Sequence, residues 1–402
     1  MIDLSKQERG SKVKRSIELA GVRTRGSESL AVKAGGLVFT SALDASMRGG
    51  AHPSIEQEAD AVLRLAQDIL GALDSDLSST AKLKAYLADI RTAARVGDTL
   101  PGLPAAMSAV GAMLASPETR LAIEIIAGAE LKPEALAVAG SLRATAIGPL
   151  IFTAGAKPDD RTGDLRRQAG QVLDAIVQTL NAAGVDKSAL LKINNTAASW
   201  HNYSFYNELY NDRLTGANAA RCSVGGMLGD PLALIEVEAV AARGVTLRFV
   251  DSTHSGVGRT SFVHRDDTVY LPSLGPCKGP HAHGARAGDF VFIAGECPYD
   301  EQDRLIGPGD IAAQTEQTMR NVQISLEALG ASLDDVVRTN VTLSDMRLFD
   351  GFDNAYARSF SAPYPARTVV GAPLGQYGLL VEIEAIAVIG AAQDAVVLIG
   401  AG

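Results

Sequence analysis

The chain has 402 residues and a net charge of −9, with 47% hydrophobic and 21% charged residues. That is ordinary globular composition, long enough for roughly two to four domains. Its acidic balance argues against a nucleic-acid partner, which needs a basic surface. Cys222, Cys277 and Cys297 show no paired spacing, which fits a reducing compartment without a disulfide framework. The opening MIDLSKQERGSKVKRS has no apolar secretory core, and no uninterrupted apolar run reaches the roughly 18 residues of a membrane helix. A cytoplasmic protein with no membrane partner is therefore expected.

In chain order, the first strand signal is GLVFTSA (36–42), a short β-branched and aromatic run. An amphipathic helix follows at 54–77, then a strand at 82–89 (KLKAYLAD), a short second helix, and the segment AAMSAVGAMLASPETRLAIEIIAG (105–128). The same order then returns. PLIFTAG (149–155) precedes a helix at 164–190, the strand LLKINNTAAS (190–199), the helix YSFYNELYNDRL (203–214) and AARCSVGGMLGDPLALIEVEAVAA (219–242). A connector, Arg243 to about Cys277, carries a strand VTLRFV (245–250) and a predicted hairpin TSFVHRDDTVYLP (260–272) that turns at RDD. The third round is DFVFIAG (289–295), a helix at 310–336, VVRTNVTLSD (336–345), FDGFDNAYARSF (349–360) and PARTVVGAPLGQYGLLVEIEAIAV (365–388). An apolar, Gly-rich tail from Ala391 reads as an extra edge strand. Gly184 and Gly330 stand where a left-handed residue ends a helix, with Asp74 in that place in the first copy. Asp89 to Met107 is 18 positions (107 − 89) against 22 from Asp345 to Arg367 (367 − 345), so the first copy's second helix is about one turn shorter.

The chain is therefore a triplicated domain of about 134 residues per copy (402/3). The expected limits are 1–130, 131–243 and 278–390 for the units, with 244–277 as connector and 391–402 as tail. Aligned without a gap, the closing segments put Arg221 on Arg367 and Glu236 on Glu382, each pair 15 positions apart (236 − 221 and 382 − 367). The first copy has Met107 and Ala122 instead, so its pair is erased. If LGDP (228–231) and LGQYG (374–378) are hairpin turns, each Arg opposes the Glu of its own copy, with Cβ atoms about 4.5–5.5 Å apart. The bland reading is a cross-strand ion pair worth roughly 0–1 kcal/mol. The joint loss of both members in one copy favours a shared purpose.

These segments, above all IAG, QTEQTMRNVQISLEALGASLDDVVRTNVTLSD, AYARSF, PYPART and VEIEAIAV, resemble the RidA (YjgF/YER057c/UK114) family of enamine/imine deaminases. The resemblance implies an α+β fold of three chorismate-mutase-like repeats about a pseudo-threefold axis, with central sheets and outer helices. It also implies sites between neighbouring units, and a homo-oligomer of the fused chains is compatible with it. It implies that Arg221 and Arg367 hold a substrate carboxylate and that Glu236 and Glu382 position water. By the same resemblance, Gly155 and Gly295 line the cleft with backbone, Ser223 joins the substrate-binding set, and Asn207 matches a family Asn that becomes Asp353 in the third copy. A family Tyr is replaced by His281, with Ser141 and Glu28 in the other copies. The implied reaction is hydrolytic deamination of a small imino or enamino acid, without a cofactor. His254, His264, His281 and His283 cluster near the connector, but no cysteine or carboxylate spacing completes a ligand set, so no metal is expected. Cys222, next to Arg221, is expected on the opposite strand face as a packing residue. A non-catalytic carboxylate binder is one alternative. A ring-opening cyclic-amide hydrolase with a Ser–Lys pair in each repeat is another, disfavoured because Lys82, Lys84, Lys187 and Lys192 show no matching recurrence. A ribonuclease role is disfavoured by the acidic charge.

Overall fold

A computed structural model describes residues 14–50, 52–100, 105–138, 141–200, 203–253, 266–391 and 396–400. The fold is α+β, with three sheets built on one plan. Each unit begins with a tight hairpin: Ala31–Ala34 with Leu37–Thr40, Ser141–Ile147 with Leu150–Thr153, and Gly284–Ala287 with Phe290–Ile293. Only the second arm of each hairpin was legible as a strand. The turns offered the missing signal, because Gly35, Gly148 and Gly288 take φ of 60°, 55° and 59°, a left-handed conformation typical of two-residue hairpin loops.

Each unit then runs through a long helix, a middle strand and a short helix. The long helices are α1 (Ile55–Gly71), α3 (Leu165–Ala182) and α5 (Ile311–Ala328), and the short ones are α2 (Ala93–Thr99), α4 (Tyr203–Arg213) and α6 (Phe349–Ala357). In α3, Ala169, Val172, Leu173, Ile176 and Leu180 are buried at three- and four-residue steps, the stripe that packs a helix onto a sheet. Gly184 and Gly330 end α3 and α5 with φ of 79° and 81°. Asp74 accepts the same conformation after α1, with φ of 61° and its carboxylate 3.0 Å from Lys33 Nζ. Helix α2 is the shortest of the six at 7 residues, as the deletion in the first copy required.

The closing segments are not hairpins. In the second unit Leu190–Ala197 lies between Ala220–Gly225, parallel to it, and Ile235–Ala242, antiparallel to it. Arg221 is in register with Ile193 but Glu236 with Thr196, so the two charges of one unit are not opposed. The third unit repeats this, with Arg367 beside Thr339 and Glu382 beside Thr342. The residues expected to form turns instead reach a neighbouring unit. Met227–Leu228 pairs with Gly111 and Val110, Met113–Leu114 pairs with Gly371 and Val370, and Leu374 bridges Val224. One edge of each sheet is thereby covered by a neighbour's extension, which removes a site for unwanted strand pairing.

Cationic side chains close the same cycle at the centre. Lys82, Lys192 and Arg338 occupy one equivalent place in the three middle strands. Lys82 Nζ lies 2.7 Å from Glu238, Lys192 Nζ 2.7 Å from Glu384, and Arg338 pairs with Glu124. Lys84, Asn194 and Asn340, two residues further along, donate to the same carboxylates at 2.9, 3.0 and 2.8 Å. Lys82 and Lys192 therefore do recur, with arginine in the third unit, and each is spent on the glutamate of the next unit. Burial opposes ionisation of Glu238, yet Lys82 and Lys84 hold its carboxyl well below the usual range. Breaking one member of such a buried set costs about 3–5 kcal/mol.

The tail forms a strand, Val396–Gly400, parallel to Arg15–Leu19 at a sheet edge. In the connector, Leu247–Ser252 pairs antiparallel with Gly284–Ala287 and parallel with Thr268–Leu271. The first arm of the expected hairpin, His254 and His264 lie outside the described residues. No helix among the described residues is long and apolar enough to cross a membrane.

Candidate active site

Three equivalent junctions join the units. The residue two positions past each hairpin's second strand donates its backbone N–H to the carbonyl of the residue at the Arg position of the preceding unit. These bonds are Gly155 to Met107 (2.9 Å), Gly295 to Arg221 (3.1 Å) and Ala42 to Arg367 (3.1 Å). The junction between units one and two thus offers Met107 and Glu236, that between two and three offers Arg221 and Glu382, and that between three and one offers Arg367 and Ala122. Two charged pairs along the sequence become one complete pair in space, because each glutamate works with the preceding unit.

Arg221 and Glu382 line one cleft of about 700 Å³, counting the solvent it opens onto. Arg221 is 2% exposed. Its Nη2 donates to Asn207 Oδ1 at 2.9 Å, and its guanidinium lies over the rings of Tyr210 and Tyr206, 5.0 and 5.8 Å from their centroids. Both rings come from α4, whose turn spacing puts residues 206, 207 and 210 on the side facing the Arg strand. Asn207 also donates to the Lys278 carbonyl at 3.2 Å, tying the end of the connector to the anchor. Gly279 packs on the same guanidinium, and a Cβ there would sit 1.9 Å from Nη2.

Glu382 is 6% exposed and faces the cleft from the third unit. A Cβ on Gly295 would sit 1.8 Å from its Oε1, so the carboxylate requires glycine at that place. Burial pushes its pKa up to about 7. The Cys222 thiol, donating at 3.1 Å, lowers it, and the charge of Glu384 raises it. Ser223, His281 and Gly295 line the same cleft. Cys222 has a polar partner in the neighbouring unit that strand alternation alone did not reveal. Cys277, His283 and Glu296 also line the cleft, supplied by the connector end and the third hairpin. No spacing rule groups these three residues.

The other two junctions are incomplete in different ways. Arg367 is fully buried but already neutralised. Its Nη1 donates to Asp353 at 2.6 Å, its Nε lies 3.6 Å from Glu28, and its Nη2 donates to the Arg25 carbonyl at 2.9 Å. Asp353 stands where Asn207 stands, and that one change turns a neutral support into a counter-charge. Ala42 and Ala122 belong there to an apolar cluster with Tyr86, Val110 and Val370. Where the glutamate is gone, the glycine it demanded is gone too. At the remaining junction Gly155 touches Glu236, with a Cβ contact of 2.0 Å, and burial raises the carboxyl pKa. Its neighbouring cation is Lys157, at 3.3 Å, in place of an arginine across the junction.

A family model described as Endoribonuclease L-PSP matches residues 133–243 and 275–389, which is 111 + 115 of the 402 residues. A RutC family protein of Pyrococcus horikoshii is 42% identical over 109 residues, 27% of this chain and 86% of that protein. Protein HMF1 of Saccharomyces cerevisiae is 35% identical over 119 residues, 30% of this chain and 92% of that protein. The crystal structure of a chorismatase is similar in fold, with a TM-score of 0.56 over 77% of this chain and 93% of that one at 15% identity. RidA from Psychrobacter sp. is 31% identical over 30% of this chain and 96% of that one, with a TM-score of 0.28. On the two matched stretches, which flank the connector and together exceed half its length, this chain belongs to the Endoribonuclease L-PSP family, the RidA (YjgF/YER057c/UK114) group.

Proposed function

We propose that the protein hydrolyses a small enamine or imine carboxylic acid to a carbonyl compound and ammonia, in the single cleft between its second and third units. Family membership supports a small-molecule hydrolase or deaminase-type role in general terms. The finer reading rests on one observation: Arg221 and Glu382 meet in one cleft, and no other junction pairs an arginine with a glutamate at these positions.

Arg221, steadied by Asn207 and two tyrosine rings, presents a planar fork suited to a carboxylate, with charged hydrogen bonds worth about 1.5–3 kcal/mol each. Binding there orients the C=N carbon towards Glu382. A carboxyl with a pKa of about 7 is present as both acid and base near neutrality, the condition for effective proton transfer. The ionised form removes a proton from water as its oxygen bonds to the iminium carbon, giving a carbinolamine. The protonated form returns that proton to nitrogen; as the C–N bond breaks, the carboxylate so regenerated takes the hydroxyl proton while the C=O forms, ammonia leaves, and the carboxyl gives that proton to ammonia or solvent. An iminium carbon is already electrophilic, so the scheme needs no covalent nucleophile. Gly295 keeps the carboxylate close to the backbone, while His281 and Ser223 supply polar wall where the substrate's remaining atoms lie.

The test is ammonia release from 2-imino acids generated in the assay by an amino-acid oxidase. Turnover that disappears in Arg221→Ala and Glu382→Gln but persists in Arg367→Ala supports the reading. Tight carboxylate binding without ammonia release would replace it with a binding role.

A further inference from the structure

Cys277 and Cys297 line the Arg221–Glu382 cleft, Cys222 donates to Glu382, and Cys277 sits in a second constellation. Asp251 is the penultimate residue of the connector strand Leu247–Ser252, Cys277 lies in the segment leading out of the connector, and His283 precedes the hairpin strand Gly284–Ala287. Strand register brings them together. Val250 is opposite Gly284, and His283 N–H donates to the Val250 carbonyl at 2.9 Å, so Asp251 is delivered beside His283. One carboxylate oxygen, the thiol sulfur and one imidazole nitrogen of these residues all lie within 4.8 Å of one another, and all three residues are buried.

We infer that Asp251, Cys277 and His283 form a binding site for a Zn2+-class divalent metal on the wall of the cleft. The donor set of thiolate, imidazole and carboxylate is that of zinc. Tetrahedral zinc, with bonds of about 2.0–2.3 Å, holds its ligand atoms about 3.2–3.8 Å apart, and Cys277 Sγ stands 3.8 Å from Asp251 Oδ1. That separation is long for a hydrogen bond but natural for two ligands of one ion. His283 carries the second signature. Its Nδ1 lies 2.8 Å from Glu296 Oε1, an acceptor when ionised, which places the proton on Nδ1 and leaves Nε2 as the ligating nitrogen. Nε2 in turn lies 3.0 Å from the Gly275 carbonyl. Both ring nitrogens therefore face oxygen acceptors, and the spot calls for a positive charge that either a second proton or a metal supplies.

Three side-chain ligands leave a fourth coordination position, the pattern of zinc sites that hold water or a substrate atom. Cys277, His283 and Glu296 border the same cleft as Arg221 and Glu382, so the ion sits at the edge of the substrate space. The matched family segments stop at 243 and resume at 275, so Asp251 comes from the connector that separates them, while Cys277 and His283 open the second match. The connector thereby contributes a ligand and fastens itself to the one complete cleft. This inference does not depend on the deaminase reading.

The test is metal binding by the untagged full-length chain. After chelation, the protein is titrated with Zn2+ against a competing chelator and, separately, with Co2+. The expected result is one tightly held Zn2+ per chain and a Co2+ spectrum with thiolate-to-cobalt charge transfer and the strong visible bands of tetrahedral cobalt. Cys277→Ser and His283→Gln should weaken zinc binding at least 100-fold, and Glu296→Gln by about 10–100-fold as a loss of ligand orientation. Cys297→Ser should leave it unchanged. A folded wild-type chain that takes up no stoichiometric Zn2+ overturns the inference, and so does uptake equal to wild type in the Cys277→Ser and His283→Gln proteins. A Co2+ complex lacking thiolate absorption does the same without relying on any variant. In each of these cases, the cluster is a metal-free Cys–His–Glu hydrogen-bonded set.

Discussion

Arg221 and Arg367 occupy the same place in the same repeat, both buried and both stacked on a tyrosine of the preceding short helix. They nevertheless differ in what remains for a guest. Arg221 is supported by the neutral amide of Asn207 and faces Glu382 across an open cleft. Arg367 is supported by two carboxylates, Asp353 and Glu28, and faces alanines. Arg367 thus sits in a buried ion-pair set, whereas Arg221 is bonded to a neutral amide at the wall of a cleft. Duplication supplied the same residue twice, and the neighbours decided its use.

The largest effect expected from breaking this contrast is in Arg221→Ala. Loss of two charged hydrogen bonds, about 1.5–3 kcal/mol each, lowers kcat/KM by roughly 10²–10⁴-fold. Arg367→Ala should leave turnover near wild type but lower stability by about 3–5 kcal/mol, because Asp353 and Glu28 lose their counter-charge. Steady-state kinetics combined with urea unfolding separates the two outcomes, and equal kinetic losses in both variants would remove the distinction between the clefts.

Next in size is Gly295→Ala. Its Cβ would sit 1.8 Å from Glu382 Oε1, so the carboxylate must move, and activity should fall at least 10-fold while Gly155→Ala leaves it unchanged. The comparison sharpens further in a rebuilt junction. Ala42→Gly, Ala122→Glu and Asp353→Asn together restore the missing acid, make room for it and release the arginine. A second carboxylate-binding event in calorimetry is the expected outcome, and binding of one ligand as before would show that Glu28 still occupies the guanidinium.

The smallest expected effect is on pH dependence. Burial raises the pKa of Glu382 from its ordinary value of 4.5 to about 7. Between these values the folded chain binds more protons than the unfolded one, so this group's contribution makes stability fall as pH rises from about 4.5 to about 7. Glu382→Gln should flatten that part of the stability profile. On the proposed function, kcat/KM of the wild-type protein should rise with an apparent pKa near 7 as the base form appears. A kcat/KM profile that is flat across that range would separate Glu382 from proton transfer.

Local patterns were reliable wherever the physics is local. Helix faces, the left-handed stops at Gly184, Gly330 and Asp74, and the shortened α2 all follow from periodicity and backbone conformation, and the structure has each of them. The hairpin arms before 36, 149 and 289 were not read from the sequence, although the glycine turns that follow them carry the signal. The pairing of Arg221 with Glu236 failed because the middle strand Leu190–Ala197 enters between their strands. Spacing along the chain can set register only for segments that pair with each other. The lysines at 82 and 192 were misread for a related reason, since their equivalence includes an arginine and their partners lie in another unit.

The sequence by itself determined that one strand–helix–strand–helix order recurs three times along the chain, which residues carry charge at the closing strands, and that the first round lacks both. Only the tertiary structure decided that each glutamate serves the preceding unit, that a single junction holds both charges, and that Asp251, Cys277 and His283 converge. The physical reason is that ring closure brings together surfaces more than a hundred positions apart, such as 221 and 382, through side-chain packing and bridging ion pairs. No periodicity or local spacing within one copy records that choice.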